Sequence, residues 1–350
     1  GLPAPELSRC LISPGEGITG GSKLIRCLMA ALEKKGVAIH YNTKAVSLVK
    51  DECFNVEGVS CITPEGRKDY LARGGVILTT GGYGANEAMV DKYIGPWASR
   101  LIVRGSPWIT GENILMAEEV QALLVNMDQF YAGPITPTGH CNPSPLMHAG
   151  YGIQVNTKGK RFVPETWLQV PKAKAIAERT EDNRSFMLIG ADADKNAQIL
   201  TNTIKRFARL GFEVIKADTI EEAAKKAGVP EKNLVETVRE FNAAVKAGKA
   251  KELDPPYDYD EPHALETGPF YMIPAAGGMA STFGGPKINK DAQVVNFERR
   301  PIPGLYAAGA AAGGVWVYDD IGGNQLGGGM VFGRVAARHA AGRAASRKNA

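Results

Sequence analysis

The sequence is poor in cysteine. Its 350 residues hold five, Cys10, Cys27, Cys53, Cys61 and Cys141. The number is odd and no Cys-x-x-Cys spacing occurs. A disulfide framework is not expected, and a reducing, cytoplasmic compartment fits better. Long hydrophobic runs are missing too. The longest apolar stretch, Leu305 to Val317, is rich in Ala and Gly and covers 13 residues, whereas a membrane span needs about 20. No signal peptide is visible; the chain begins with Gly1 rather than Met, which leaves open what precedes it. Charge of one sign is scarce, with 41 Lys and Arg against 37 Asp and Glu, a net +4. A charge so weak and dispersed gives no reason to expect nucleic acid as a partner. The basic end, Arg334 through Lys348, reads as the solvated face of a last helix. There is no P-loop, no G-x-S-x-G and no H-E-x-x-H, and His40, His140, His148, His263 and His339 show no ligand spacing. No metal is expected.

Glycine, in contrast, is abundant. Forty-one residues of 350 is about 12%, against an average near 7%. No G-X-Y period exists, and the glycines sit beside apolar runs such as Val76-Ile77-Leu78. Such glycine points to tight turns and to backbone approaching something closely. At this length about two domains are expected.

Leu24, Cys27, Leu28, Ala31 and Leu32 follow the 3-4 spacing of a helix over 22–35, stopped by Gly36. Val37–Tyr41, Ala45–Val49 and Val56–Thr63 read as strands, the last followed by a Pro64-Glu-Gly66 turn. Gly75–Thr80 reads as a buried strand running into Gly81-Gly82. Strand, helix and strand in this alternation predict α/β architecture. A helix is expected over 111–122, and a Pro- and Gly-rich loop over 132–150. Thr219-Ile-Glu-Glu222 is a capping box opening a helix that ends at Gly228; Pro230 opens the next, to about Lys246. Asp254–Pro262 reads as a connector.

Gly15-Glu-Gly17-Ile-Thr-Gly20 has G-x-G-x-x-G spacing, but Pro14 and a polar lead-in argue against the strand that a dinucleotide fingerprint requires. It reads as a loop feeding the helix at 22. Val76 to Gly82 would let backbone approach a flat ligand at the carboxyl end of a strand, where ligands favour α/β sheets. Gln325–Gly333 is a glycine segment opening a helix to about Ala345. Its N-terminus suits an anion or a group that becomes anionic; close helix–sheet packing is the other reading.

Together these segments resemble the flavoprotein family of fumarate reductases, tricarballylate dehydrogenase and 3-ketosteroid Δ1-dehydrogenases. Gly20–Gly36 resembles the family's helix before its second strand pair, and Gly75–Asn86 its A-T-G-G-F-x-x-N turn. Arg104-Gly105 with Thr110-Gly-Glu112 resembles R-G…T-G-D. Tyr151–Glu165 resembles G-I-x-V-N-x-x-G-x-R-F-x-x-E. Pro303–Gly309 and Asn324–Gly333 resemble its C-terminal flavin segment. The resemblance implies a Rossmann-like FAD-binding domain interrupted by an inserted α+β cap domain, with FAD parts at 1–131 and 279–350, a cap at 132–278, and substrate between cap and flavin. Family members open with a strand and G-x-G-x-x-G for the ADP part of FAD; nothing before Gly20 supplies that unit, so the FAD domain is expected to be N-terminally incomplete. The implied flavin contacts are Val46, Gly81, Gly82, Glu112, Gly309, Gly328, Met330 and Val331. Glu112 stands for a usual Asp and could bond ribitol hydroxyls, while Ala310 replaces a frequent Glu.

The sequence departs from the family at its substrate positions. The acid arginine four residues after R-F-x-x-E is Gln169, and the substrate histidine before T-x-G-G is Ser281. The arginine of N-R-L-G-G is Gln325, and the relay arginine is His148. A dicarboxylate needs charge-assisted clamps, so fumarate and succinate fit poorly. The resemblance then implies hydrogen transfer across a C–C bond beside the carbonyl of a less charged small molecule, with an electron partner that the sequence does not identify. Tyr318, with the adjacent Asp319 and Asp320, is the candidate for moving the α-proton; an ordinary polar loop is the bland alternative. An unperturbed tyrosine hydroxyl ionises only near pH 10, so it needs an anion-stabilising neighbour to act as a base. Ser281, Gln325 or a helix N-terminus could instead polarise the carbonyl. Trp316 could line a pocket or pack in the core. The competing reading is a flavin-free fragment or subunit whose ADP-binding unit comes from a missing segment or a partner chain.

Overall fold

A computed structural model describes residues 20–137, 152–191, 201, 204–205, 207–208, 211, 214–317 and 324–348. In chain order they form helix α1 (Gly20–Lys34), strands β1 (Lys44–Lys50), β2 (Val56–Thr63), β3 (Gly66–Leu71) and β4 (Val76–Leu78), and helix α2 (Glu87–Tyr93). Strand β5 (Ile102–Val103), helix α3 (Glu112–Glu118) and strands β6 (Leu124–Val125), β7 (Phe130–Ile135) and β8 (Gly152–Asn156) follow. Next come helix α4 (Gln169–Arg179), strands β9 (Ser185–Ile189) and β10 (Ile215–Ala217), and helices α5 (Ile220–Ala227) and α6 (Glu231–Lys246). Strands β11 (Phe270–Thr282), β12 (Gly285–Pro286), β13 (Gln293–Val295) and β14 (Pro301–Ala307) precede helix α7 (Asn324–Ser346). Two units result, one drawn from residues 1–81, 112–126 and 283–350, the other from 82–111 and 127–282. Residues 82–111 group with 127–282, to which β5 is tied by its parallel pairing with β11.

In the first unit, β1, β2 and β3 form an antiparallel sheet, with Gly66 at φ +113° in the expected turn. β4 runs parallel to β14, Val76 opposite Leu305, and β14 pairs antiparallel with β13. A Cβ on Gly75 would lie 2.1 Å from the Gly304 carbonyl oxygen, so glycine is required where β4 enters beside β14. Leu48, Val56, Leu78, Met116, Val294 and Leu305 make the core between these elements. Each such side chain contributes about 1.5–3 kcal/mol on burial. α7 seals the sheet through Ala336 on Tyr306, whose hydroxyl meets His339 Nδ1 at 2.9 Å. α1 forms as its periodicity predicts, yet Ile25 and Leu28 remain 58% and 47% exposed. Val37–Tyr41, expected as a strand, is irregular. Extended backbone needs a partner ladder for its polar groups, and β1 takes that place beside β2.

The second unit is organised by β11, a strand of 13 residues that the sequence does not announce. Its first half pairs with β10 and β9, and its second half with β7 and β5. Pro274, Gly277 and Gly278 disguise it. Gly277 is glycine because α4 packs on the strand: a Cβ there would lie 2.5 Å from the Ala173 carbonyl oxygen. The first part of the loop expected over 132–150 is strand, since β7 extends to Ile135 with Pro134 opposite Gly277, and residues 138–150 lie outside the described residues. Ile153, Leu188, Leu234, Phe241, Tyr257 and Met272 form the core under α5 and α6. The capping box is present: Thr219 Oγ1 accepts from Glu222 N at 3.1 Å, and Glu222 Oε2 accepts from Asp218 N at 2.7 Å. Gly228, at φ +68°, ends α5 as expected.

Candidate functional site

In the first unit the glycines form a close backbone approach. A 3₁₀ turn, Gly309–Ala311, follows β14, with Gly309 at φ +67°. Ala308 N donates to Leu78 O at 3.1 Å, tying this turn to the end of β4, beyond which Gly81 has φ +82°. A Cβ on Gly329 would lie 3.6 Å from Gly309 Cα, and one on Gly328 would lie 2.9 Å from Trp316 Cζ2. The half-buried Trp316 ring thus packs on α7. Met330 and Val331 are 51% and 57% exposed, and Gln325 is half-buried.

Val46 sits at a bulge. Ala45 pairs with Cys61 and Ser47 with Ser60, which leaves Val46 outside the ladder. Bulges free backbone groups and re-aim side chains. Lys44 Nζ lies 3.2 Å from Glu112 Oε1, linking β1 to the start of α3. The next residue, Asn113, is fully buried. Its Nδ2 donates to Ala311 O at 2.9 Å, and its Oδ1 is buried with no hydrogen-bond partner.

In the second unit, Thr282 holds the turn beyond β4. A Cβ on Gly82 would lie 2.1 Å from Thr282 Oγ1, and Tyr83 N donates to that oxygen at 3.1 Å. Tyr83 is fully buried, its hydroxyl donating to Met127 O, and burial pushes that hydroxyl well above the ordinary tyrosine range, with Asp128 adding to the effect. Ser281 stands opposite Tyr131 in the β11–β7 register, beside an irregularity between Met279 and Ser281. Tyr131 Oη donates to Gln169 Oε1 at 3.2 Å. Gly133 lets Gln169 lie against β7, since a Cβ there would be 2.7 Å from that oxygen. The strand pairing therefore brings Gln169 and Ser281 together around Tyr131.

A buried ionic cluster lies in the same unit. Arg161 Nε and Nη2 donate to Glu165 Oε1 and Oε2 at 2.9 and 2.6 Å, and Gln154 N also reaches Glu165 at 3.0 Å. Burial lowers the pKa of the Lys172 ammonium on α4 to about 8, against an opposing pull from Glu165.

Tyr318, Asp319, Asp320 and His148, and the Gly15–Gly17 part of the glycine-spaced segment, lie outside the described residues. Sequence reasoning missed Asn113, Tyr131 and Thr282. Only strand register brings Tyr131 to Ser281, and nothing local to Asn113 signals its link to Ala311.

The FAD binding domain family matches residues 6–326 of this sequence. The chain belongs to this family, and FAD is its cofactor. It is 31% identical to urocanate reductase of Eggerthella lenta, covering 94% of this chain and 57% of that protein. It is 29% identical to 3-oxosteroid 1-dehydrogenase of Mycobacterium tuberculosis, covering 95% and 65%. The open conformation of a flavocytochrome c3 fumarate reductase superposes with a TM-score of 0.80 at 29% identity, covering 95% and 57%. The mixed α/β class with an FAD-binding fold holds as expected. The chain spans about half the length of the curated relatives it matches. The glycine approach of Gly309 and Gly329, and a buried Asn113 oxygen that lacks a donor, suit a flat ligand carrying O–H and N–H groups, as FAD does.

Proposed function

We propose that this protein is an oxidoreductase acting on the C–C bond next to a carbonyl, as a desaturase or ene-reductase, and that its substrate carries less charge than fumarate. The observation that carries the reading is the neutral polar group of Gln169, Tyr131 and Ser281, joined by the 3.2 Å hydrogen bond from Tyr131 to Gln169. Gln169, Tyr131 and Ser281 carry no charge themselves, so these positions give a dicarboxylate no charge-assisted clamp, and burying a charge without one is costly. A ketone or other neutral carbonyl needs only hydrogen-bond donors, which the Gln169 amide and the Ser281 hydroxyl can supply while the Tyr131 hydroxyl positions Gln169.

Val46, Gly81, Gly82, Glu112, Gly309, Gly328, Met330 and Val331 would hold FAD. The bulge at Val46 offers backbone groups outside the ladder, and Glu112 offers acceptor oxygens. FAD held there would supply hydride transfer to or from the substrate carbon. Tyr318 with Asp319 would move the α-proton, and His148, Gln169, Ser281 and Gln325 would contact the substrate. The test is an anaerobic dye-linked assay with fumarate and a panel of α,β-unsaturated ketones. Turnover of ketones with little turnover of fumarate is expected; preference for fumarate sinks the reading.

A second reading is a chain that holds FAD only with a further unit supplied by a missing segment or another chain. It is favoured by the exposed apolar face of α1 and by β4, which pairs only with β14 among the described residues. Gel filtration with a visible spectrum separates the two: a yellow protein supports the first, a colourless folded one the second.

A further inference from the structure

We propose that Asn113 is a cofactor-binding residue whose carboxamide oxygen accepts a hydrogen bond from an O–H or N–H donor on the ribityl–isoalloxazine half of FAD. The inference rests on the reading that the Gly309 turn and the start of α7 face the flavin. Asn113 is wholly buried, and its two polar atoms are unlike in their surroundings. Nδ2 donates to Ala311 O at 2.9 Å, while Oδ1 is buried with no partner. The carboxamide cannot simply be reversed, because its oxygen would then face the oxygen of Ala311. A buried acceptor without a donor is costly, and native proteins keep few of them.

The place of this atom in the fold points to the donor. Ala311 is the last residue of the turn that begins with Gly309, and Gly309 approaches Gly329 in the first turns of α7. The residue before Asn113 is Glu112, one of the expected ribityl contacts and tied to β1 through Lys44. The Asn113 side chain thus couples α3 to the glycine turn. FAD carries donors of the required kind in its ribityl hydroxyls and its ring N–H, whereas its phosphates offer none. The nitrogen of Asn113 would position the turn, and its oxygen would meet the cofactor.

The test is FAD titration of the purified wild-type chain and of Asn113→Leu, with folding checked by circular dichroism. A rise of about tenfold in Kd is expected for the leucine variant, the scale of one lost buried hydrogen bond. A shift of the long-wavelength flavin band would assign the donor to the ring, and an unmoved band to the ribityl chain. If Asn113→Leu does not fold, Asn113→Ser, which keeps a donor but shortens the reach, is expected to weaken binding in the same direction. A wild type that binds FAD beside folded variants with unchanged Kd overturns the role of Asn113 alone. A folded wild type that binds no FAD favours the second reading above and overturns the proposal for this chain.

Discussion

The hydroxyl of Tyr131 donates to Oε1 of Gln169 across 3.2 Å, joining a strand to the first residue of a helix. If this pair contacts the substrate, Tyr131→Phe removes one hydrogen bond while the ring still packs. Loss of about 1 kcal/mol, or roughly fivefold to tenfold in kcat/KM, is expected with FAD content unchanged. Steady-state kinetics on the best ketone substrate, with flavin quantified by absorbance, checks this. An unchanged kcat/KM removes Tyr131 from the site.

Gln169→Arg tests the charge argument from the other side. An added guanidinium supplies the charge-assisted bonds that a carboxylate requires. Fumarate turnover is expected to rise relative to ketone turnover, measured as the ratio of the two kcat/KM values. A ratio that does not move would mean that this position does not contact the substrate.

Thr282 supports the turn at Gly82 from inside. Thr282→Val leaves Tyr83 N–H buried without its acceptor, so destabilisation of about 1–3 kcal/mol is expected in urea unfolding. Gly82→Ala is expected to be at least as severe, because its methyl would collide with Thr282 Oγ1. The double change Gly82→Ala with Thr282→Ala should recover part of that loss, since the collision is removed.

Lys172 gives a pH dependence. Its folded pKa of about 8 lies below the ordinary lysine value of 10.5, chiefly through burial. Between these values the unfolded chain binds more protons, so stability rises with pH through this window. Lys172→Met should abolish that rise, and should stabilise the protein at pH 7 more than at pH 10. Chemical unfolding at several pH values measures both. An identical pH profile in the variant would contradict the assignment.

Glycines in α7 separate by their surroundings. A Cβ on Gly327 would meet nothing within 4 Å, so Gly327→Ala is expected to raise stability by about 0.5–1 kcal/mol. Gly329→Ala would place a methyl 3.6 Å from Gly309 Cα, an ordinary contact that leaves the fold intact but fills the approach. Flavin content is expected to fall in the second variant and to hold in the first, read from absorbance after gel filtration.

Much of the local structure was legible in the sequence by itself. The 3-4 spacing of α1, the capping box at Thr219, the stop at Gly228 and the strand into Gly81 each depend on residues within a turn or two of one another. The family motifs were equally readable, because backbone–ligand contacts demand glycine at set intervals. The tertiary structure alone decided the rest. Val37–Tyr41 looked like a strand and is not one, because β1 holds the edge of β2. β11 was hidden by its proline and glycines, whose purpose appears only when α4 lies against the strand. Tyr131 meets Ser281 through a pairing between residues far apart in the chain, and Asn113 reaches Ala311 in the same way. Periodicity and capping are short-range effects written in neighbouring residues, whereas register and burial depend on which distant surfaces pack together.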